Sequence, residues 1–253
     1  MRDGFIRTAA ATPKIKVADP VHNRETICRI IEEYEKKGAE LLVFPELCLS
    51  GYTCNDLFQQ EILLEQVKEE LKNLVDFTKG RKMLLFAGLP WEHEGKLYNV
   101  AAAICDGELL GLVTKTNMPN YSEFYELRHF TPGMEIPVLT DWLDTRVPMG
   151  TNLLFTCKEN PKLTVAAEIC EDVWVPCPPS IRHALAGLGS VTKLIIAQRI
   201  TSVQSADLIV ILDDGRLHAV GTHDELLTKD TIYQEIYHSQ MKGGDADGEA
   251  IRR

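Results

Sequence analysis

The stretch AAEICEDVWVP (166–176) sets Cys170 among Glu168, Glu171 and Asp172. A free thiol titrates near ~8.5, and carboxylates beside it push that value up and weaken it as a nucleophile. Two readings are open. Cys170 is inert packing, the usual fate of a lone cysteine, or a cation from elsewhere in the chain offsets the acids. Glu46, at the end of AELLVFPE, and Lys115, near the end of LLGLVTKT, can complete the second reading. Like Cys170, each falls at or just past the C-terminal end of an apolar run, where α/β folds gather site loops. An ammonium at Lys115 can steady a thiolate and the oxyanion formed when it attacks a carbonyl. A carboxylate at Glu46 can take the thiol proton and pass it to a leaving amine. Glu168, two residues from Cys170 on a predicted strand, should share its face and accept a structural hydrogen bond.

The surrounding pattern supplies elements to carry these groups. NRETICRIIEEYEKKG (23–38) puts Ile27, Ile30, Ile31 and Tyr34 on one helical face and stops at Gly38. AELLVFPE (39–46) reads as a strand buried on both faces. A second helix is predicted over 56–78, with Leu64, Val67, Leu71, Leu74 and Val75 as its stripe. Residues 82–91 and 97–105 read as strands, and Asp106-Gly107 turns the chain into a further strand over 109–116. TVAAEIC (164–170) predicts another strand, and 176–189 a helix. Strands alternating with helices give an α/β class.

Composition narrows the function classes. The 253 residues carry 27 basic and 37 acidic side chains, a net charge of −10, which disfavours nucleic acid and anionic membrane as partners. No apolar run approaches the ~20 residues of a membrane span, and the first residues lack a signal peptide's apolar core. Seven cysteines in no paired spacing suit a reducing cytoplasm. Cys48, Cys54, Cys170 and Cys177 have no C-x-x-C spacing, which argues against a zinc site. No cofactor is expected.

FPELCLSGYTCNDLF, LVTKTNMPNYSEFYELRHF and AAEICEDVWVPCPPS together resemble the carbon–nitrogen hydrolase (nitrilase) superfamily, and within it the glutaminase domains of glutamine-dependent NAD synthetases. The likeness covers about residues 1–189. It implies an α-β-β-α sandwich whose catalytic Glu, Lys and Cys correspond to Glu46, Lys115 and Cys170. A second glutamate of the family matches Glu126, with Glu123 as the fallback. Tyr52, Tyr121 and Glu171 would line a glutamine pocket, Glu171 holding the substrate ammonium. Read without the resemblance, the two tyrosines are half-buried aromatics, and Glu123 and Glu126 are solvated charges. The reaction implied is hydrolysis of the glutamine amide through a thioester, supplying ammonia for NAD synthesis. Glutamine or a similar small amide is then the partner, and self-association stays open.

The pattern changes near Gly189. The Asn-Leu-Ser-like strand expected after the cysteine helix is not found, so the sandwich is expected to be C-terminally truncated. VTKLIIAQRITSVQSADLIVILDDGRLHAVGTHDELL instead resembles the end of an ABC-transporter nucleotide-binding domain, with Gln198 at the switch-histidine position. A strand at TKLIIAQR, a short helix at TSVQSAD, a hairpin over 208–221, a helix over 222–242 and a disordered tail over 243–253 are expected, making a small α/β fragment over 190–242. The run LIIAQRITS could fill the missing strand slot. No G-x-x-x-x-G-K-[ST] loop is present, so ATP hydrolysis is not expected. An amide hydrolase, a catalytically impaired mosaic protein and a non-hydrolysing transporter fragment remain as three readings.

Overall fold

The structure is a computed structural model that describes residues 5–185, 200, 203–204, 206, 208–213 and 216–244. The chain divides into two compact units, Met1–Ile196 and Ala197–Arg253. In the first, the elements run β1 (Thr8–Ala10), α1 (Pro20–Lys36), β2 (Leu41–Val43), α2 (Glu61–Phe77), β3 (Leu84–His93), β4 (Lys96–Cys105), β5 (Glu108–Thr114), β6 (Val138–Trp142), β7 (Thr145–Gly150), β8 (Phe155–Thr156), β9 (Thr164–Val165) and α3 (Pro179–Leu185).

Helix α1 starts earlier than its apolar face suggests. Asp19 caps it by accepting from the backbone N–H of His22, and Pro20 fits the first turn, where no intrahelical donor is needed. Gly38, at φ +76°, reverses the chain after its last turn. Ile27, Cys28 and Ile31 are buried in the same cluster as Leu63, Val67, Leu71, Leu74 and Val75 of α2. Each such aliphatic side chain contributes about 1.5–3 kcal/mol when fully buried. The Arg24 guanidinium crosses to the buried Glu70 carboxylate at 2.7 Å, tying the two helices together. In the first turn of α2 the buried leucine is Leu63 rather than Leu64, and residues Tyr52–Gln59 ahead of it form a kinked 3-10 segment instead of α-helix.

The helices cover one face of a seven-stranded sheet in the order β1-β2-β3-β4-β5-β7-β6. Strands β1, β2 and β3 are parallel, β3, β4 and β5 form an antiparallel meander, and β5 runs parallel to β7. Period-two alternation sorts the side chains: Leu85, Ala87, Leu89 and Trp91 join the helix-side core, while Leu84 and Phe86 face the other way. That second face packs on the short β8–β9 ladder, where Phe86 meets Phe155 edge-on at 5.6 Å. The β4–β5 pairing contains a bulge: Ala103 pairs with Gly111 but Ile104 with Leu109, leaving Leu110 as the extra residue. The sheet, helix layer and ladder give the mixed α/β architecture expected.

Several sequence expectations need correction. The predicted strand over 164–170 is only Thr164–Val165, so neither Glu168 nor Cys170 lies on it, and their shared-face relation fails. An unbroken apolar run does not fix a strand length; here the ladder partner β8 is itself two residues long. The β6–β7 hairpin was not anticipated. The predicted helix over 176–189 is Pro179–Leu185 in the described part, and its remainder lies outside the described residues.

The second unit contains β10 (Ile209–Asp213) paired antiparallel with β11 (Arg216–Gly221), followed by α4 (His223–Lys229) and α5 (Thr231–Gly244). The hairpin agrees with expectation. The single predicted helix is two, separated at Asp230, and Thr222 and Glu225 form a reciprocal capping box at the start of α4. Ile200, Ile209, Ile211, Leu226 and Tyr233 make its core. The proposed strand TKLIIAQR, Gln198 and nearly all of LIIAQRITS lie outside the described residues, as does most of TSVQSAD. Of the expected tail, Gly243 and Gly244 belong to α5 and 245–253 lie outside the described residues. Among the described residues, no helix is long and apolar enough to cross a membrane.

Candidate active site

Glu46 leaves β2 by three residues on a loop that lies flat across the sheet. Phe44 N–H donates to Phe86 O at 2.8 Å and Leu49 N–H to Gly88 O at 3.0 Å, pinning the loop to β3 at two points. The glycine at 88 is what allows this approach, because a Cβ there would strike the Leu47 nitrogen and the Pro45 oxygen. Lys115 follows the last residue of β5, and its N–H continues the ladder by donating to Asn99 O at 2.9 Å. With β4 antiparallel to both β3 and β5, strands β2 and β5 point the same way and deliver a carboxylate and an ammonium to the same end of the sheet.

There the groups close into one cluster. The Lys115 ammonium is fully buried and donates to Glu46 Oε1 and to both Glu126 oxygens, each at 2.7 Å. The Asn99 amide donates to the same Glu46 oxygen at 2.6 Å. The Tyr52 hydroxyl donates to Glu126 Oε1 at 2.6 Å. Burial by itself would lower the lysine's pKa, but Glu46 and Glu126 outweigh it and hold the ammonium charged, above its ordinary range. Burial and the charge of Glu46 push Glu126 upward, against the pull of Lys115 and of its hydrogen bonds. Burial and the bonded Glu126 carboxylate raise the Tyr52 phenol, which stays protonated as a donor. Of the two glutamates considered, Glu126 is the buried member of the cluster; Glu123 is exposed.

Cys170 reaches this cluster from a different kind of element. It opens a 3-10 turn, Cys170–Val173, with a left-handed φ of +48°, unusual for a residue with a Cβ. Its thiol is pushed up to about 12, first by burial and then by Glu46, with Lys115 pulling it down and Glu126 and Glu171 adding to the rise. The expected electrostatic partner is thus present and acts in the expected direction. It does not win: burial and three carboxylates leave a protonated thiol near neutral pH.

The remaining expected residues form a rim. Tyr121 Oη lies 3.0 and 3.1 Å from the two Glu171 oxygens. Phe124 joins the tyrosines, its ring edge-on to Tyr121 at 5.8 Å and to Tyr52 at 6.4 Å. Glu168 accepts from the N–H of Ser180 at 2.6 Å, fixing the start of α3 in the structural role expected of it. Asn99 and Asp172 carry more of the site than sequence reasoning assigned. A fully buried asparagine inside the apolar strand LYNVAAAIC is a signal that could have been noticed, since such a group needs a polar partner. Asp172 is counted in the sequence only as a charge near the thiol; in the structure it is buried and bonded to backbone. Among the described residues, no His, Cys, Asp and Glu grouping could hold a metal ion.

Comparison with known proteins identifies the family of the chain. The family profile described as Carbon-nitrogen hydrolase matches residues 7–189. The glutamine-dependent NAD(+) synthetase of Mycobacterium leprae (strain TN) is 38% identical over 184 residues, covering 73% of this chain and 27% of that protein. The chain therefore spans about a quarter of the length of the curated relatives it matches. A crystal structure of a glutamine-dependent NAD(+) synthetase from Cytophaga hutchinsonii superposes with a TM-score of 0.61 at 28% identity, over 66% of this chain and 28% of that one. An amidase from Nesterenkonia sp., at 22% identity and a TM-score of 0.57, covers 81% of this chain and 71% of its own, a likeness of fold. With the profile spanning most of the sequence, the chain belongs to the carbon-nitrogen hydrolase family.

Proposed function

We propose that the first unit hydrolyses the side-chain amide of glutamine, with Cys170 as nucleophile, Glu46 as general base and then acid, and Lys115 as the electrostatic stabiliser. The observation that carries this reading is the buried ammonium of Lys115 bonded to both Glu46 and Glu126, close enough to Cys170 to act on its charge. Because the thiol rests protonated, attack and proton transfer to Glu46 go together. The sulfur bonds to the amide carbon, and the developing oxyanion is stabilised by Lys115. The C–N bond then breaks as Glu46 returns the proton to the leaving nitrogen, giving ammonia and a thioester. Water adds to the thioester carbon, its proton passes to Glu46, and the departing sulfur takes that proton back as glutamate leaves. Glu126 keeps the lysine in place, and Tyr52 keeps Glu126 in place.

The pair Tyr121–Glu171 is assigned to the substrate's α-ammonium group. The ammonia is proposed to serve NAD synthesis, as the names of the relatives suggest, and a cytoplasmic setting is proposed from the seven cysteines in no paired spacing. For residues 191–240 the resemblance to the end of an ABC nucleotide-binding domain is kept as a proposal, without ATP hydrolysis. Self-association is likewise a proposal. The test is ammonia release from glutamine, together with mass addition by a glutamine-like diazoketone. Release abolished in Cys170→Ala, with the mass confined to Cys170, is expected. Folded wild-type protein that neither releases ammonia nor takes the label would overturn the reading.

A further inference from the structure

Cys170 stands five residues beyond the last residue of β9, so no ladder fixes it against Lys115. Among the described residues, a buried carboxylate joins the two segments. Asp172, 1% exposed, accepts from Thr116 N–H at 3.1 and 3.2 Å, from Asn117 N–H at 2.7 Å and from the Asn117 side-chain amide at 2.8 Å. These donors belong to the two residues that follow Lys115. At its other end Asp172 is held in the cysteine turn, its own N–H donating to Ile169 O at 3.1 Å. The exposed Tyr121–Glu171 contact spans the same two segments, but solvent weakens it and the proposed substrate would compete for it.

We propose that Asp172 is a positioning residue for the amide-hydrolysing site: its carboxylate ties the turn bearing Cys170 to the backbone leaving Lys115, setting the sulfur against the ammonium. This rests on the reading of Cys170 as nucleophile. It also explains an acid two residues from a thiol that has to react. The carboxylate is occupied by four donor contacts from the 116–117 backbone and side chain, a favourable arrangement for a buried charge. Removing it frees the turn, and the left-handed φ at Cys170 gives that turn a reason to relax.

The test compares wild type, Asp172→Asn, Asp172→Ala and Arg24→Ala, the last loosening the α1–α2 pair away from the site. Glutamine turnover and the pH dependence of Cys170 alkylation by iodoacetamide are measured on each folded protein. The groups acting on the sulfur are Glu46, Lys115, Glu126 and Glu171. Of these Lys115 alone lowers its pKa, but burial and Glu46 act more strongly on the sulfur, so a turn freed from the cluster should move the alkylation midpoint to lower pH. Expected losses in kcat are about tenfold for the isosteric Asp172→Asn and about a hundredfold for Asp172→Ala, with KM changed less than about threefold. Arg24→Ala should lower thermal stability and leave kcat and midpoint unchanged. Asp172 variants with wild-type kcat and midpoint would overturn the tether, as would an equal loss in Arg24→Ala at matched stability. If Asp172→Ala does not fold, Asp172→Asn decides. Absence of turnover in wild type would count against the hydrolase reading, while the alkylation midpoints still judge the tether.

Discussion

Lys115 and Cys170 face the same cluster but are held in opposite ways. Lys115 is the next residue after a seven-residue strand, its N–H still in the ladder, and its side chain is fully enclosed. Cys170 sits on a short 3-10 turn beyond a two-residue strand, in a strained backbone conformation, positioned by side-chain bonds. The cation continues a sheet strand and the base sits on a loop pinned to the sheet; the nucleophile is hung beside it. The contrast suggests a division of labour. A rigid charged platform stabilises the oxyanion, and a separately suspended sulfur retains the freedom to make and break a bond.

If the platform is as integral as this, damaging it should be the costlier change. Replacing Lys115 by Met should abolish ammonia release and lower stability by about 3–5 kcal/mol in urea unfolding at neutral pH, since Glu46 and Glu126 would be left buried without a counter-charge. Adding Glu46→Gln and Glu126→Gln to that variant should restore much of the stability and none of the activity. Glu46→Gln by itself separates the two regions more finely. Turnover should fall about 10²–10⁴-fold with the loss of the proton carrier. The alkylation midpoint of Cys170 should move to lower pH than in wild type, because a negative charge that disfavours the thiolate is gone. An upward or absent shift would mean that Glu46 does not act on the sulfur.

Gly88→Ala tests the platform without touching a charged group. Its Cβ would displace the 45–47 backbone, so kcat should fall up to about a hundredfold. Unfolding should show a loss of about 1–3 kcal/mol from overpacking. The smallest effect is expected at the rim. Tyr121→Phe removes an exposed bond to Glu171 and should change stability by less than about 1 kcal/mol, with a rise in KM of a few-fold and little change in kcat. A large stability loss there would show that the rim helps to hold the cysteine turn.

The same contrast governs what the sequence disclosed. Groups at the ends of apolar runs were legible: the runs ending near Glu46 and Lys115 pointed to both, and the family resemblance favoured Glu126 over Glu123. Cys170 was found by its motif, but its support was misread. The apolar residues of 164–170 look like strand whether or not a neighbour extends the ladder, and a positive φ leaves no mark in residue type. Pairing partners explain the other omission. The β6–β7 hairpin has exposed Val138 and Leu139 and a Pro148 inside β7, which blur its alternation. Asp172 was visible as an acid but not as a bond acceptor, because its donors are backbone N–H groups some 55 residues away.

The bulge at Leu110 has a consequence for tolerance to insertion and deletion. It absorbs an odd residue on the hairpin side, before the register that runs from Gly111 to the site resumes. Shortening the hairpin by that one residue would leave Lys115 on its present face. One residue added between Leu112 and Lys115 has no such buffer, and would turn the side chain at that point through the sheet, away from both carboxylates. Length variants of this hairpin should therefore be harmless on one side of the irregularity and silent in catalysis on the other.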